Sequence, residues 1–136
     1  MKGNGLATKE AGAALGSMLK TNTSLKSLDI SGNGYSGCDG PGFSSEVSAG
    51  LQDNGALSKM TWSGNERYYD TVTKQMEDPS AVTLDTTMTK ADFSNKGLGV
   101  SGAMILAAFI SGAMSILDVS SNNIGPEGAK ALAPAM

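Results

Sequence analysis

Apolar and polar residues alternate in four short segments of this chain, and all four segments share one spacing. An apolar residue is followed by two others, an apolar residue, one other and an apolar residue, and Ser-x-Asn usually comes next. The segments are Leu25–Asn33, Leu57–Asn65, Met88–Lys96 and Met114–Asn122. A period of two predicts short strands that bury one face. Because recurrence every 20 to 50 residues or so is typical of stacked repeats, we expect about four strands, near 25–30, 57–62, 88–93 and 114–119, to lie side by side.

Helical spacing replaces this alternation between the strands. Apolar residues recur at intervals of three and four over 11–19 and again over 103–110, and a further helix is predicted around 43–51. Pro126 lies near the first turn of a last predicted helix. The predicted unit is therefore strand, asparagine-containing turn and helix, and stacking on neighbouring units closes its core.

The third repeat departs from this unit in two places. It carries Lys96 where the others carry asparagine, so we expect the row of turn asparagines to be interrupted there or re-routed through Asn95. Residues 66–87 lack a helical face. Their apolar residues alternate as in extended chain, with a turn predicted at 77–80, and an irregular hairpin or loop is expected in place of a helix.

These features resemble the leucine-rich repeat family, in its ribonuclease-inhibitor-like form with a helix in every repeat. The residues that carry the resemblance are Leu25-x-x-Leu28-x-Ile30-x-x-Asn33 and Leu117-x-Val119-x-x-Asn122. The segment 91–98 is similar to repeats of unicellular algae and other protists. The resemblance implies one α/β solenoid domain over 1–136, with short parallel strands on a concave face, helices on a convex face and one irregular repeat. It also implies a protein that binds other proteins.

Equivalent strand residues would form polar rows across the concave face. Tyr68 and Tyr69, in the irregular segment, would either anchor an interface or cover the space left by the missing helix. The candidate partner-binding residues are Asp29, Ser31, Lys59, Thr61, Ser63, Tyr68, Tyr69, Lys90, Asp92, Ser94, Asp118 and Ser120. For the rows, the alternative is that polar residues only solvate an exposed sheet. The resemblance favours this alternative, because the family repeats Asp-x-Ser there for local hydrogen bonding.

Composition excludes several functions. The net charge of −3 argues against binding to nucleic acid or to anionic lipid. The chain has no histidine and one cysteine, so it lacks the usual general base and the residues of a zinc cluster, and no cofactor is predicted. We interpret Cys38 as a loop thiol that cannot form an internal disulfide. A single cysteine is typical of a reducing compartment, so we expect an intracellular, cytoplasmic location. An organellar location is left open.

One uncharged stretch, 97–117, has the length of a membrane span. The repeat register divides it into a helix, a turn and a strand, so no membrane span is predicted.

The leading hypothesis for function is a non-catalytic protein–protein interaction scaffold with an unnamed protein partner. It would be a fragment of a larger repeat protein or an accessory subunit of an assembly, since ends without polar caps leave exposed edges that also permit self-association. The alternative is a regulatory receptor or inhibitor that recognises its partner by the concave face. A hydrolytic enzyme that uses Asp92 and Asp118 is a remote alternative, because an open sheet lacks a water-excluding pocket.

Overall fold

The structure, a computed structural model, describes residues 8–33, 42–64, 67–110 and 112–135, in which successive helices are separated by one or more short strands. The helices are α1 (Lys9–Thr21), α2 (Gly42–Gln52), α3 (Gly99–Phe109) and α4 (Gly125–Leu132), with a 3-10 turn at Ala133–Ala135. The strands are β1 (Ser27–Asp29), β2 (Lys59–Ser63), β3 (Tyr68–Asp70), β4 (Gln75–Glu77), β5 (Ala81–Asp85), β6 (Lys90–Asp92) and β7 (Ile116–Asp118).

The four helices pack on one another in chain order, α1 on α2, α2 on α3 and α3 on α4. The hydroxyl of Thr8 caps α1 by accepting from the backbone N–H of Ala11 at 3.1 Å. Glycines bring α1 and α2 close together: a Cβ atom on Gly50 would lie 2.6 Å from the Cα of Gly16. The plentiful small residues of the sequence thus set the helix spacing.

The four strands that overlap the predicted segments do not form one sheet. β1 pairs with β2 and β6 pairs with β7, both in parallel. Beside β2, however, lies β5, which runs antiparallel to it and places Val82 opposite Trp62 and Leu84 opposite Met60. The expectation of uninterrupted parallel pairing is therefore wrong between β2 and β6, because a strand from the irregular segment takes the pairing edge of β2.

The core joins strands and helices in one apolar cluster. Trp62 is fully buried, and its indole N–H donates to the carbonyl of Gly102 in α3 at 3.2 Å. The edge of one ring meets the face of the other in the contact between Trp62 and Phe93, with centroids 6.2 Å apart. Val82 and Leu84 are buried in the same cluster. The chain is an α/β repeat fold in which a hairpin and a strand replace the helix of one repeat.

Asparagine side chains hold the turns that follow the strands. The amide of Asn33 donates to the carbonyl of Ile30 at 2.9 Å. Asn122 reaches into the preceding repeat, where it donates to the carbonyl of Phe93 at 2.6 Å and accepts from the backbone N–H groups of Lys96 and Leu98 at 2.8 and 3.2 Å. At the third repeat, which has Lys96 in place of the turn asparagine, these hydrogen bonds come from Asn122 of the next repeat. Asn95 takes part through its backbone N–H, which donates to the carbonyl of Ser120. Asn65 lies outside the described residues.

Candidate functional site

The outward side chains of β1, β2, β5, β6 and β7 form a polar surface, here called the strand face. It brings Asp29 beside Thr61 and Asp92 beside Asp118, as the sequence predicts. Thr61 does not lie beside Asp92, however, because Thr83 of β5 lies opposite Thr61 with the two hydroxyl oxygens 2.8 Å apart. The predicted row of acidic and hydroxyl residues is therefore split in two.

The basic residues of the strand face are separated in the same way. Lys59 lies opposite Asp85 of β5, which the sequence reasoning did not include among the strand-face residues. Lys90 lies opposite Ile116. Lys59 and Lys90 occupy equivalent strand positions, but they are not neighbours, and Lys59 faces a carboxylate.

Each aspartate of the strand face accepts hydrogen bonds from a serine or threonine two residues later. The hydroxyls of Ser31, Thr87, Ser94 and Ser120 donate to Asp29, Asp85, Asp92 and Asp118 at 2.7, 2.6, 2.6 and 2.6 Å. The backbone N–H groups of the same four residues donate to the same carboxylates. This local bonding accounts for the Asp-x-Ser pattern without any ligand.

The hydrogen bonds also lower two carboxyl pKa values. Donation from Ser94, first by its hydroxyl and then by its N–H, holds the pKa of Asp92 below 3.8, and the charge of Lys96 adds to this. Thr87 lowers the pKa of Asp85 in the same way, with a smaller contribution from Lys59. A general acid needs a raised pKa near neutral pH, so the shift at Asp92 runs against the remote hydrolase hypothesis.

Replacing Ser94 with Ala is expected to raise the pKa of Asp92 toward 3.8, since the variant loses the hydroxyl that favours the carboxylate. A lowered folded pKa stabilises the protein above the unfolded pKa, and this contribution is lost as the pH falls through the folded value. The variant should therefore lose less stability on acidification. An NMR titration of the aspartate carboxyl carbons measures the shift. Asp85 is the internal control, and an unchanged Asp92 would contradict the assignment.

A second candidate surface is the hairpin formed by β3 and β4, which pair only with each other among the described strands. Tyr69 lies opposite Met76, and their side chains are 54% and 50% exposed. Val72, in the turn, is 88% exposed. Tyr69 therefore does not cover the space of the missing helix, and that interpretation is wrong for this residue. The side chain of Tyr68 lies outside the described part of the structure.

Polar contacts fix the shape of the hairpin. A carboxylate oxygen of Asp70 accepts from the backbone N–H groups of Val72 and Thr73 at 2.7 and 3.1 Å, which closes the turn. At the base, the Arg67 guanidinium donates to Asp78 at 3.0 Å and to the carbonyl of Met76 at 3.2 Å. These hydrogen bonds fix the backbone that carries the exposed apolar side chains.

Two open hollows lie between the helices, and Met104 contributes to the wall of both. One has a volume of about 500 Å³ and lies among residues of all four helices, including Glu46 and Glu127. The other, of about 340 Å³, lies between α2, α3 and α4. Neither hollow was foreseen, because helical periodicity predicts which residues face the core and says little about spaces between helices.

The described ranges, 8–33, 42–64, 67–110 and 112–135, contain neither a metal-ligating cluster nor a membrane-spanning helix. No group of three or more Cys, Asp or Glu residues there could hold a metal ion. No helix in those ranges is both long and apolar enough to cross a membrane. Cys38 lies outside the described residues.

Comparison with protein-family models matches the chain to a leucine rich repeat family at residues 21–34 and 114–133. The first match contains β1 and its Asn33 turn, and the second contains β7, the Asn122 turn and α4. No curated protein and no solved structure matches the chain. The matched segments are the two that carry the sequence resemblance, and both form the strand and asparagine turn of the repeat, so these two segments are leucine-rich repeats.

Proposed function

We propose that this chain is a non-catalytic protein–protein interaction scaffold that holds its partner by the β3–β4 hairpin. Leucine-rich repeats generally mediate protein–protein interaction, which supports the class of function. The proposal includes ribonuclease-inhibitor-like repeats that stack as a curved solenoid, with strands on the concave face and helices on the convex face. It also includes an intracellular, cytoplasmic location, for which the single cysteine is the support.

The observation that carries the proposal is the apolar surface of the hairpin. Of the four large hydrophobic residues that are exposed in the described ranges, Tyr69, Val72 and Met76 lie on the hairpin. Tyrosine and methionine are enriched at the centres of interfaces, and tyrosine is a frequent binding hot spot. The aspartates of the strand face, by contrast, already bond to their own serines and threonines.

A second candidate function is a regulatory receptor or inhibitor that recognises its partner by the strand face. Ile116 favours it, because this residue is 55% exposed on β7 and lies opposite Lys90 on β6. An apolar residue beside a flexible cation would give this surface the anchor that its hydroxyl and carboxylate groups do not supply.

Replacing both Tyr69 and Met76 with Ser should remove the partner while leaving the body folded. β3 and β4 make their main contacts with each other, so the melting temperature of the remaining fold should change little. Loss of a hot-spot pair costs about 2 kcal/mol or more, which corresponds to at least about thirtyfold in affinity. Affinity purification from the native cell extract, with quantitative mass spectrometry, measures retention. Ala49→Ser on the exposed face of α2 is the matched control.

Proteins retained by wild type and by Ala49→Ser, and lost from the double variant, would support the hairpin. Proteins kept by the double variant but lost from an Ile116→Ser, Lys90→Ser variant would overturn it in favour of the strand face. If neither pair of substitutions changes which proteins are retained, both the hairpin and the strand face are overturned as the binding surface.

A further inference from the structure

The hollow of about 340 Å³ between α2, α3 and α4 has an apolar wall. Met104 and Ala107 of α3 and Ala131 of α4 contribute to it. α3 carries no charged residue, so it presents apolar side chains both to the core and to this outer hollow. The volume lies within the range of about 300 to 1,000 Å³ that is usual for small-molecule sites.

Ser48 of α2 lines the hollow and has an unusual environment. The residue is 7% exposed, and within the described ranges its hydroxyl is the one buried side-chain polar atom that makes no hydrogen bond. A serine inside a helix often donates to a carbonyl four residues earlier, and Ser48 does not. Buried polar groups nearly always have a partner, and the serine hydroxyl can turn about χ1 to meet one in the hollow.

Two further side chains with N–H donors border the same space, the amide of Gln52 and the ammonium of Lys130. Lys130 lies 3.4 Å from a carboxylate oxygen of Glu127, but both side chains are mostly exposed, 75% and 70%. An ion pair in such an exposed position is weak, so Lys130 is available to a second anion. The amide and the ammonium group therefore border an apolar wall, and the buried hydroxyl of Ser48 lies behind it.

These groups suit a ligand with a hydrogen-bond acceptor of single negative charge and a hydrocarbon body. We propose that the hollow binds a carboxylate attached to a short aliphatic body, with the carboxylate at Ser48, Gln52 and Lys130 and the aliphatic part on Met104 and the alanines. At roughly 30 Å³ for each non-hydrogen atom, the space holds about ten such atoms. A free aliphatic acid and the C-terminal residue of a peptide share this chemistry. The site is independent of the hairpin and of its proposed function.

The test uses NMR titration of the full chain with three probes. Octanoate represents the free acid, N-acetyl-leucine represents a peptide C-terminus, and octanamide has the same body as octanoate without the charge. We expect saturable shifts of the amides around Ser48 and Met104 with at least one acid. Affinity should fall about tenfold or more in Ser48→Ala and in Lys130→Gln, and it should be unchanged in Ala49→Ser, whose position is exposed and outside the hollow.

Ser48→Ala also has a readout that needs no ligand. Because its hydroxyl has no partner to lose, the variant should melt at the same temperature as wild type or higher, so weaker binding cannot be ascribed to unfolding. If octanoate binds more tightly than N-acetyl-leucine, the carboxylate belongs to a free aliphatic acid. The reverse order assigns it to a peptide C-terminus. The proposal is overturned if neither acid gives saturable shifts, if octanamide binds as well as octanoate, or if binding survives both substitutions.

Discussion

Replacing Asn122 with Ala is expected to destabilise the protein by about 4 kcal/mol. The side chain is 3% exposed and serves two repeats at once, bonding to backbone groups of Phe93, Lys96 and Leu98 on one side and of Val119 and Ser120 on its own. Alanine would leave several of these groups buried without a partner, and each such group costs about 1 to 3 kcal/mol. Urea unfolding followed by circular dichroism measures the loss.

Asn123 provides the matched control for this substitution. It is exposed and has a φ of 50°, a conformation that glycine adopts readily. Asn123→Gly should therefore change the unfolding free energy by less than about 0.5 kcal/mol. If Asn122→Ala lowered the unfolding free energy no more than Asn123→Gly does, Asn122 would not be the link between the third and fourth repeats.

Replacing Gly64 with Ala is expected to cost about 3 kcal/mol. Gly64 follows β2, and an added Cβ would overlap the backbone of Gly97 and Leu98 in the turn after β6. Backbone atoms cannot rotate away as the end of a side chain can, so the third repeat would have to move from the second. The same urea series, read together with the melting temperature, measures this effect.

Gly55 offers the corresponding control, because a Cβ at this position would meet nothing within 4 Å. Gly55→Ala should be neutral, or stabilising by up to about 1 kcal/mol through the reduced freedom of the unfolded chain. Equal losses at Gly64 and Gly55 would show that close packing of β2 against the turn after β6 is not required.

The strand pattern predicts which side chains are buried where each strand has neighbours. Leu28, Ile30 and Trp62 occupy the apolar positions of the strand pattern, and all three are buried. Leu117 and Val119 have the same spacing, yet they are only half-buried. β7 pairs with β6 alone in the described part of the chain, so one side of these residues lacks a covering strand. Periodicity gives the orientation of a side chain, and neighbouring elements decide its burial.

The irregular repeat shows where this reasoning ends. Alternation at Val82 and Leu84 identifies extended chain, but it does not specify whether the strand pairs in parallel or antiparallel, or with which neighbour. The turn of the hairpin over 71–74 was missed because it contains no glycine, proline or asparagine. Asp70 was the available signal, since aspartate often closes a turn by accepting from backbone groups two and three residues later.

The candidate surfaces were foreseen to different degrees. Asp-x-Ser on the strand face was visible in the sequence, as was the tyrosine pair. Nothing in the pattern distinguishes the exposed Met76 from the buried Met60, because both follow extended spacing and methionine is usual in cores. Ser48 lies within a predicted helix beside Val47, and only the packing of three helices reveals that its hydroxyl lacks a partner.

Hydrogen–deuterium exchange of the free protein and of its complex with a protein recovered by affinity purification tests the central claim most directly, that the hairpin holds the partner. We predict that the amides of 69–77 exchange more slowly in the complex, while those of 27–31, 90–94 and 116–120 on the strand face exchange as in the free protein. Slower exchange confined to the strand-face segments, with 69–77 unchanged, would contradict the account.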